Sequence, residues 1–163
     1  MKIKNEAGRL LAGVLLCGAA LPAQPAATLN VSVTVLAPLP CVVNGSKPID
    51  VDFGPDVMTT RLDGNHYRTA IDYTLTCNGP AKNAMRLQIA GAVAGFDNKL
   101  LQTDVNGLGI ALLRDGVRFS PNTWQNFTFP TLPKLEAVPM KQAAATLRTG
   151  DFSAAATLRV DYQ

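Results

Sequence analysis

The chain has 163 residues, with 15 basic and 12 acidic side chains, one histidine, and only 6% aromatic residues. Thirteen glycines and eleven prolines among many Thr and Val residues suit a single all-β domain. One histidine, His66 in the turn-rich Asp63-Gly64-Asn65-His66, and few cysteines leave neither a Cys–His pair nor a zinc site to assemble, and no phosphate-binding glycine loop or Gly-x-Ser-x-Gly occurs. A two-carboxylate site is the one catalytic arrangement that spacing leaves open, since sequence distance says nothing about which acids meet in a β-fold.

In chain order, Met1 to Arg9 is a basic start, followed by the apolar run Leu10 to Leu21 and a stretch of small residues, the layout of a secretory signal peptide. Residues 1–23 are expected to be removed, with Ala20, Ala23 and Ala27 as cleavage candidates. Removal takes Lys2, Lys4, Arg9 and Glu6 with it, leaving 12 basic and 11 acidic residues. The basic balance is therefore mostly that of the signal, and nothing lasting points to a nucleic-acid partner. Cys17 leaves with the signal too. A lipoprotein anchor there would want a small residue before the cysteine, and Leu16 stands in that place. Two cysteines remain, Cys41 and Cys77, and in an exported chain they read as one disulfide. Its loop of about 37 residues is worth roughly 3 to 4 kcal/mol through loop-closure entropy.

Leu29, Val31, Val33 and Val35 alternate with small polar residues over Ala27 to Val35, a strong strand former. Pro38 and Pro40 stop it just before Cys41, so residues 24–40 form a separable arm ahead of a domain at 41–163. The same pattern would also serve as the first strand of the chain's own sandwich. Asn44-Gly45-Ser46 is turn chemistry, and Ile49, Val51 and Phe53 then predict a short strand with Asp50 and Asp52 facing out. Asp50, Asp52 and Asp56 lack the glycine and distal glutamate of a calcium loop and read as a solvated face. Ala70 to Cys77 predicts a strand with Ile71, Tyr73, Leu75 and Cys77 on its inner face. Met85 to Ala90 is another, Gly91 to Asn98 a loop, and Leu108 to Arg114 a strand covered on both faces. Asp115-Gly116 marks a hairpin into Val117 and Phe119. Phe127 and Phe129 give one more short strand near Trp124, and Gln142 to Thr149 is a linker of small residues.

The chain closes on Gly150 to Gln163. Phe152, Ala154, Ala156, Leu158, Val160 and Tyr162 alternate with Ser153, Ala155, Thr157, Arg159 and Asp161. An alternating strand that runs to the penultimate residue implies a partner for its edge, because termini fray unless tied into a sheet.

A glycine fourteenth from the end, an alternating terminal strand and a penultimate aromatic resemble the C-terminal motif of bacterial chaperone-usher pilus subunits, matched here by Gly150, Phe152 to Val160, and Tyr162. Asp52-Phe53-Gly54, Leu108-Gly109-Ile110-Ala111-Leu112 and Ala156 to Tyr162 are similar to stretches of minor fimbrial subunits. With the signal peptide, the arm and the single cysteine pair, the resemblance spans nearly the whole mature chain. It implies an incomplete immunoglobulin-like sandwich lacking its seventh strand, plus an N-terminal donor-strand extension. It also implies a groove along Gly150, Phe152, Ala154, Ala156, Leu158, Val160, Tyr162 and Gln163, filled first by a periplasmic pilus chaperone and later by the arm of a neighbouring subunit, with an outer-membrane usher as a further partner. In that picture Leu29, Val31, Val33 and Val35 are the donor residues, the strand-addition mode of peptide recognition. No cofactor, metal, nucleic acid or small-molecule substrate is implied, and the location is a cell-surface fimbrium reached through the periplasm of a Gram-negative bacterium. A minor or adaptor subunit is expected, since a tip adhesin with its own receptor-binding domain would be about twice as long. One residue departs from the family: its arm commonly carries a glycine seven residues before the cysteine, and Thr34 stands there. The uninterrupted parity of Val31, Val33 and Val35 favours a shifted register over a specialised neighbour. The rival reading is a self-contained secreted sandwich that binds carbohydrate through Trp124, Tyr67 and Tyr73.

Overall fold

The computed structural model of the chain describes residues 41–79 and 82–163. The signal peptide and the arm with Leu29, Val31, Val33 and Val35 lie outside the described residues. Eleven strands are described, in order β1 (Cys41–Val43), β2 (Thr69–Ala70), β3 (Leu75–Cys77), β4 (Ala84–Gly91), β5 (Val93–Ala94), β6 (Asp97–Gln102), β7 (Leu108–Arg114), β8 (Val117–Phe119), β9 (Gln125–Thr128), β10 (Leu135–Lys141) and β11 (Ala156–Tyr162). The only helical pieces among the described residues are two three-residue 3-10 turns, at Asn44–Ser46 and Thr59–Arg61.

The larger sheet runs β2-β10-β7-β6-β5, with β8 also on β7; the smaller runs β11-β4-β9; β1 and β3 form a separate ladder. The core lies between the two sheets. Met85, Leu87, Ile89, Phe127 and Tyr162 come from the smaller one, and Leu101, Ile110, Leu112, Leu135 and Ala137 from the larger. Alternate residues of the larger sheet, Leu100, Ala111, Leu113 and Val138, form a second buried cluster, so β7 is apolar on both faces as its sequence predicts. Among the described residues the fold is an immunoglobulin-like sandwich without a seventh strand. The Cys41–Cys77 disulfide joins register partners of the β1–β3 ladder.

Two local choices explain much of the topology. Asp115 and Gly116 take φ of 50° and 81°, the pair of positive values that a two-residue hairpin between β7 and β8 requires. Pro139 sits within β10, where a missing N–H would break a ladder. Lys141 N donates to Leu62 O and Ile71 N to Leu135 O, so the odd residues of β10 face the β2 side. Pro139 therefore presents its absent donor to the gap beyond the Ala137–Thr69 pair, on that side only, and its contacts with β7 are intact.

Four expectations need correction. The segment 97–102, expected to begin in a loop, is β6, paired to β7 and to β5. Ala70 to Cys77 is not one strand: β2 joins the larger sheet and β3 pairs β1, although Ile71, Tyr73, Leu75 and Cys77 still face inward while Asp72, Thr74 and Thr76 are exposed. Ile49 to Phe53 belongs to no strand, and the terminal strand begins at Ala156, not Phe152.

Candidate functional site

After the turn at Asn44–Ser46, pinned by the Asn44 amide donating to Lys47 O (3.1 Å) and Pro48 O (2.8 Å), the chain runs extended past the core. Ile49, Val51 and Phe53 are half-buried and alternate with exposed Asp50 and Asp52. This is strand parity without a strand, because the segment has no ladder neighbour among the described residues. Asp52 accepts a bond from Gly54 N at 2.8 Å and turns the chain there.

Opposite lies β11. On one side it pairs with β4 along its whole length, from Ala156↔Gly91 to Tyr162↔Met85; it is the edge of its sheet, so its other side pairs with no described strand. Between these two unpaired lips is a cavity of about 540 Å³. Its floor is made of Ile89, Leu101, Ile110, Leu112 and Ala137, which are core residues from both sheets. The groove thus opens directly onto the core. Leu158 lines it half-buried, where the corresponding side chain of a closed sandwich would be covered.

The sequence-predicted groove residues distribute as follows. Phe152, Ala154, Ala156 and Leu158 line the cavity. Val160 packs against the core beyond it, and Tyr162 is buried, 9% exposed, beside Met85 in the register. Gln163 ties down the chain end: its side-chain amide donates to Met85 O at 2.7 Å and its backbone N to Ala84 O at 3.2 Å. Gly150, at φ 114°, lies outside the main cavity and walls an adjoining one; a side chain there would be strained whatever the space. Strand pairing starts only at Ala156 because β4 ends at its partner Gly91. Beyond that point Phe152 stacks on Phe53, with ring centroids 5.7 Å apart. The sequence reading missed the facing lip, Val43, Ile49, Val51, Phe53 and Ile71. Its signal was present in the alternation of Ile49 to Phe53, but alternation does not reveal that the strand's neighbour is absent.

The aromatic residues of the rival reading are engaged elsewhere. Tyr73 donates to Pro133 O at 2.9 Å, and burial pushes its hydroxyl up to about 12. Met58 N donates to the Tyr67 hydroxyl at 2.9 Å. The Trp124 ring carries the Arg86 guanidinium 4.6 Å from its centroid. His66 and Asp63 form a local exposed pair, with Asp63 held far below the usual carboxylate range by the backbone N–H groups of His66 and Asn65.

Residues 29–163 match the family model described as fimbrial protein. The chain is 43% identical over 136 residues to the uncharacterized fimbrial-like protein YfcQ of Escherichia coli (strain K12), covering 80% of this chain and 83% of that one. Among solved structures it is similar to the P pilus rod subunit PapA, with a TM-score of 0.62 at 22% identity over 76% of this chain and 99% of that one. It is also similar to the P pilus adaptor subunit PapF, with a TM-score of 0.59 at 21% identity over 76% of this chain and 96% of that one.

Proposed function

The chain belongs to the fimbrial protein family, and from that premise we propose that it is a subunit of a chaperone-usher surface pilus whose open groove receives a strand supplied by another protein. One observation carries this reading: an unpaired β11 edge and the unpaired Ile49–Phe53 lip face each other across a floor of core side chains. A strand laid between them would satisfy both edges and bury the floor, which is strand addition. The first occupant is a strand of the periplasmic chaperone, and the second is the arm of a neighbouring subunit delivered through the outer-membrane usher.

The arm of this chain is the complementary part. Leu29, Val31, Val33 and Val35 present four aliphatic side chains on one parity. At roughly 1.5 to 3 kcal/mol for each when fully buried, they supply about 6 to 12 kcal/mol before the costs of ordering and association. Exchange of one donor strand for another is how the subunit joins the fibre. A minor or adaptor position, contributing to cell adhesion, fits a chain of one sandwich domain.

Expression of the mature chain with and without its chaperone tests the reading. Alone, the subunit should aggregate or swap strands; with the chaperone it should be recovered as a one-to-one complex. A soluble, monomeric chain that unfolds cooperatively without any partner would show that the groove needs no occupant.

A further inference from the structure

In an Asn-Gly pair the glycine has no Cβ to shield its nitrogen, so that nitrogen can close on the carboxamide of the preceding side chain. The chain has three such pairs, Asn44-Gly45, Asn78-Gly79 and Asn106-Gly107. Closure needs a carboxamide free to turn and a peptide plane free to rotate, and the fold grants these unequally.

Asn44 is half-buried, and its side-chain nitrogen is held by Lys47 O at 3.1 Å and Pro48 O at 2.8 Å. Its backbone is bonded at both ends, Asn44 N to Thr74 O at 2.8 Å and Lys47 N to Asn44 O at 3.0 Å. Turning the carboxamide toward Gly45 N breaks both side-chain bonds. Asn106 has an exposed side chain, but its backbone is locked. Leu108 N donates to Val105 O at 3.1 Å across the Asn106-Gly107 turn, and Gln142 N donates to Gly107 O at 2.8 Å. Val105 and Leu108 on either side are buried in one cluster, and a Cβ on Gly107 would meet Ala145 at 3.0 Å.

Asn78 has neither restraint. Asn78 and Gly79 are exposed, a Cβ on Gly79 would meet nothing within 4 Å, and among the described residues the Asn78 carboxamide makes no hydrogen bond. The pair lies just past the end of β3, whose last residue, Cys77, is the register partner of Cys41 and is bridged to it. Cys41 is the residue at which the arm joins the domain.

We propose that Asn78 is a site of spontaneous covalent modification by deamidation, beside the root of the arm. Gly79 N bonds to Asn78 Cγ and the Cγ–Nδ2 bond breaks, Nδ2 leaving as ammonia with the Gly79 amide proton. Water then opens the succinimide at either carbonyl, leaving an aspartate or an isoaspartyl linkage. The second product adds one methylene to the backbone directly after Cys77. That insertion falls outside the β1–β3 ladder, which ends at the Cys41–Cys77 pair, so the sandwich accommodates it. Either product adds a negative charge. Residues 24–163 carry 12 basic and 11 acidic side chains, so one event cancels the excess.

The test incubates the subunit recovered from periplasm with its disulfide intact, at mildly alkaline pH, and follows each asparagine by peptide mass spectrometry with chromatographic separation of the two products. Asn78 should convert at least about tenfold faster than Asn44 or Asn106, the factor for reactions that must await the opening of two hydrogen bonds or of a packed turn. In denaturant, with the bridge reduced, the three rates should converge. Asn78→Gln should remove the acidic species that native isoelectric focusing reveals in aged wild type. Equal rates in the folded subunit, or a faster Asn44 or Asn106, overturn the assignment. A lead for Asn78 that persists undiminished in denaturant, or an acidic species that survives in Asn78→Gln, overturns it too.

Discussion

Asp161 and Arg86 face each other directly across the β4–β11 ladder, and the guanidinium donates to the carboxylate at 2.7 Å. The next pair in the register, Tyr162 and Met85, is buried in the core on the other face. The last turn of the chain is thus fastened from both sides of the sheet, by a charge pair outside and a packed ring inside. Arg86 also lies over Trp124, the residue just before β9, so the outer fastening reaches from β11 across β4 to the entry of β9.

The bond from Arg86 is the main reason the Asp161 carboxyl titrates below its usual range. A carboxylate with a depressed folded-state value adds stability above the unfolded value of about 3.9 and loses it as the pH falls through the folded one. The two side chains are 38% and 45% exposed, so solvent screening holds the effect to about 1 kcal/mol or less. Asp161→Asn should lower the melting temperature slightly at pH 7, and the gap from wild type should close as the pH is lowered below about 4. A gap that persists in acid would assign the effect to shape instead of charge.

The disulfide yields a larger effect. Cys41 and Cys77 join β1 to β3, and both half-buried cysteines pack against the core beside the open groove. Either Cys41→Ser or Cys77→Ser should cost roughly 3 to 4 kcal/mol, by releasing a closed loop in a sandwich that already lacks a strand. Periplasmic yield of the chaperone complex is the measurement, with a thiol assay on the remaining cysteine. Undiminished yield with a free thiol would remove the bridge from the account of folding.

What the sequence disclosed follows from how local each feature is. The inward parity of Leu158, Val160 and Tyr162, the double-sided burial of β7 and the Asp115-Gly116 turn depend on residues a few positions apart, and periodicity reports such features directly. The strand β6 was hidden because Asp97, Asn98 and Lys99 give it a polar start, and because Leu100 and Leu101, adjacent in sequence, belong to two different cores. Ile49 to Phe53 alternates like a strand, yet pairing is a property of a neighbour, and among the described residues it has none. The diversion of Phe152 from the β11 line depends on Phe53 and Asp104, remote positions that no local pattern joins. The cavity-lining residues of the terminal segment were thus legible, and their counterparts across the groove were not.

Deleting Ala27 to Val35 separates donor from acceptor. The lip, floor and edge strand of the groove all lie after Cys41, so the truncated subunit should still be recovered one-to-one with the chaperone. It should fail to donate to a neighbour, leaving it unable to add to a growing fibre. Pull-down with the chaperone and a polymerisation assay read the two properties apart. Loss of chaperone binding on deletion would place the arm in the core of its own domain.

The terminal strand gives the sharpest contrast, because its parity assigns neighbouring residues opposite roles. Arg159 is exposed, opposite Gln88 in the register, whereas Tyr162 is buried against the core and Gln163 is bonded to Met85 O and Ala84 O. Removing Asp161 to Gln163 takes away the Arg86 partner, the buried ring and the tie at the chain end together, and it withdraws the terminal carboxylate by three positions. Chaperone capture should be abolished. Tyr162→Ala leaves the backbone and carboxylate in place and should cost roughly 3 to 5 kcal/mol, so a reduced amount of complex should survive. Arg159→Ala should change recovery little, as expected of an exposed side chain away from any buried network. Co-purification of the three variants with the chaperone from periplasm should therefore rank them Arg159→Ala, Tyr162→Ala, truncation. Unchanged recovery of the truncated form, or a worse result for Arg159→Ala than for Tyr162→Ala, would show that the chaperone engages a surface other than the β11 edge.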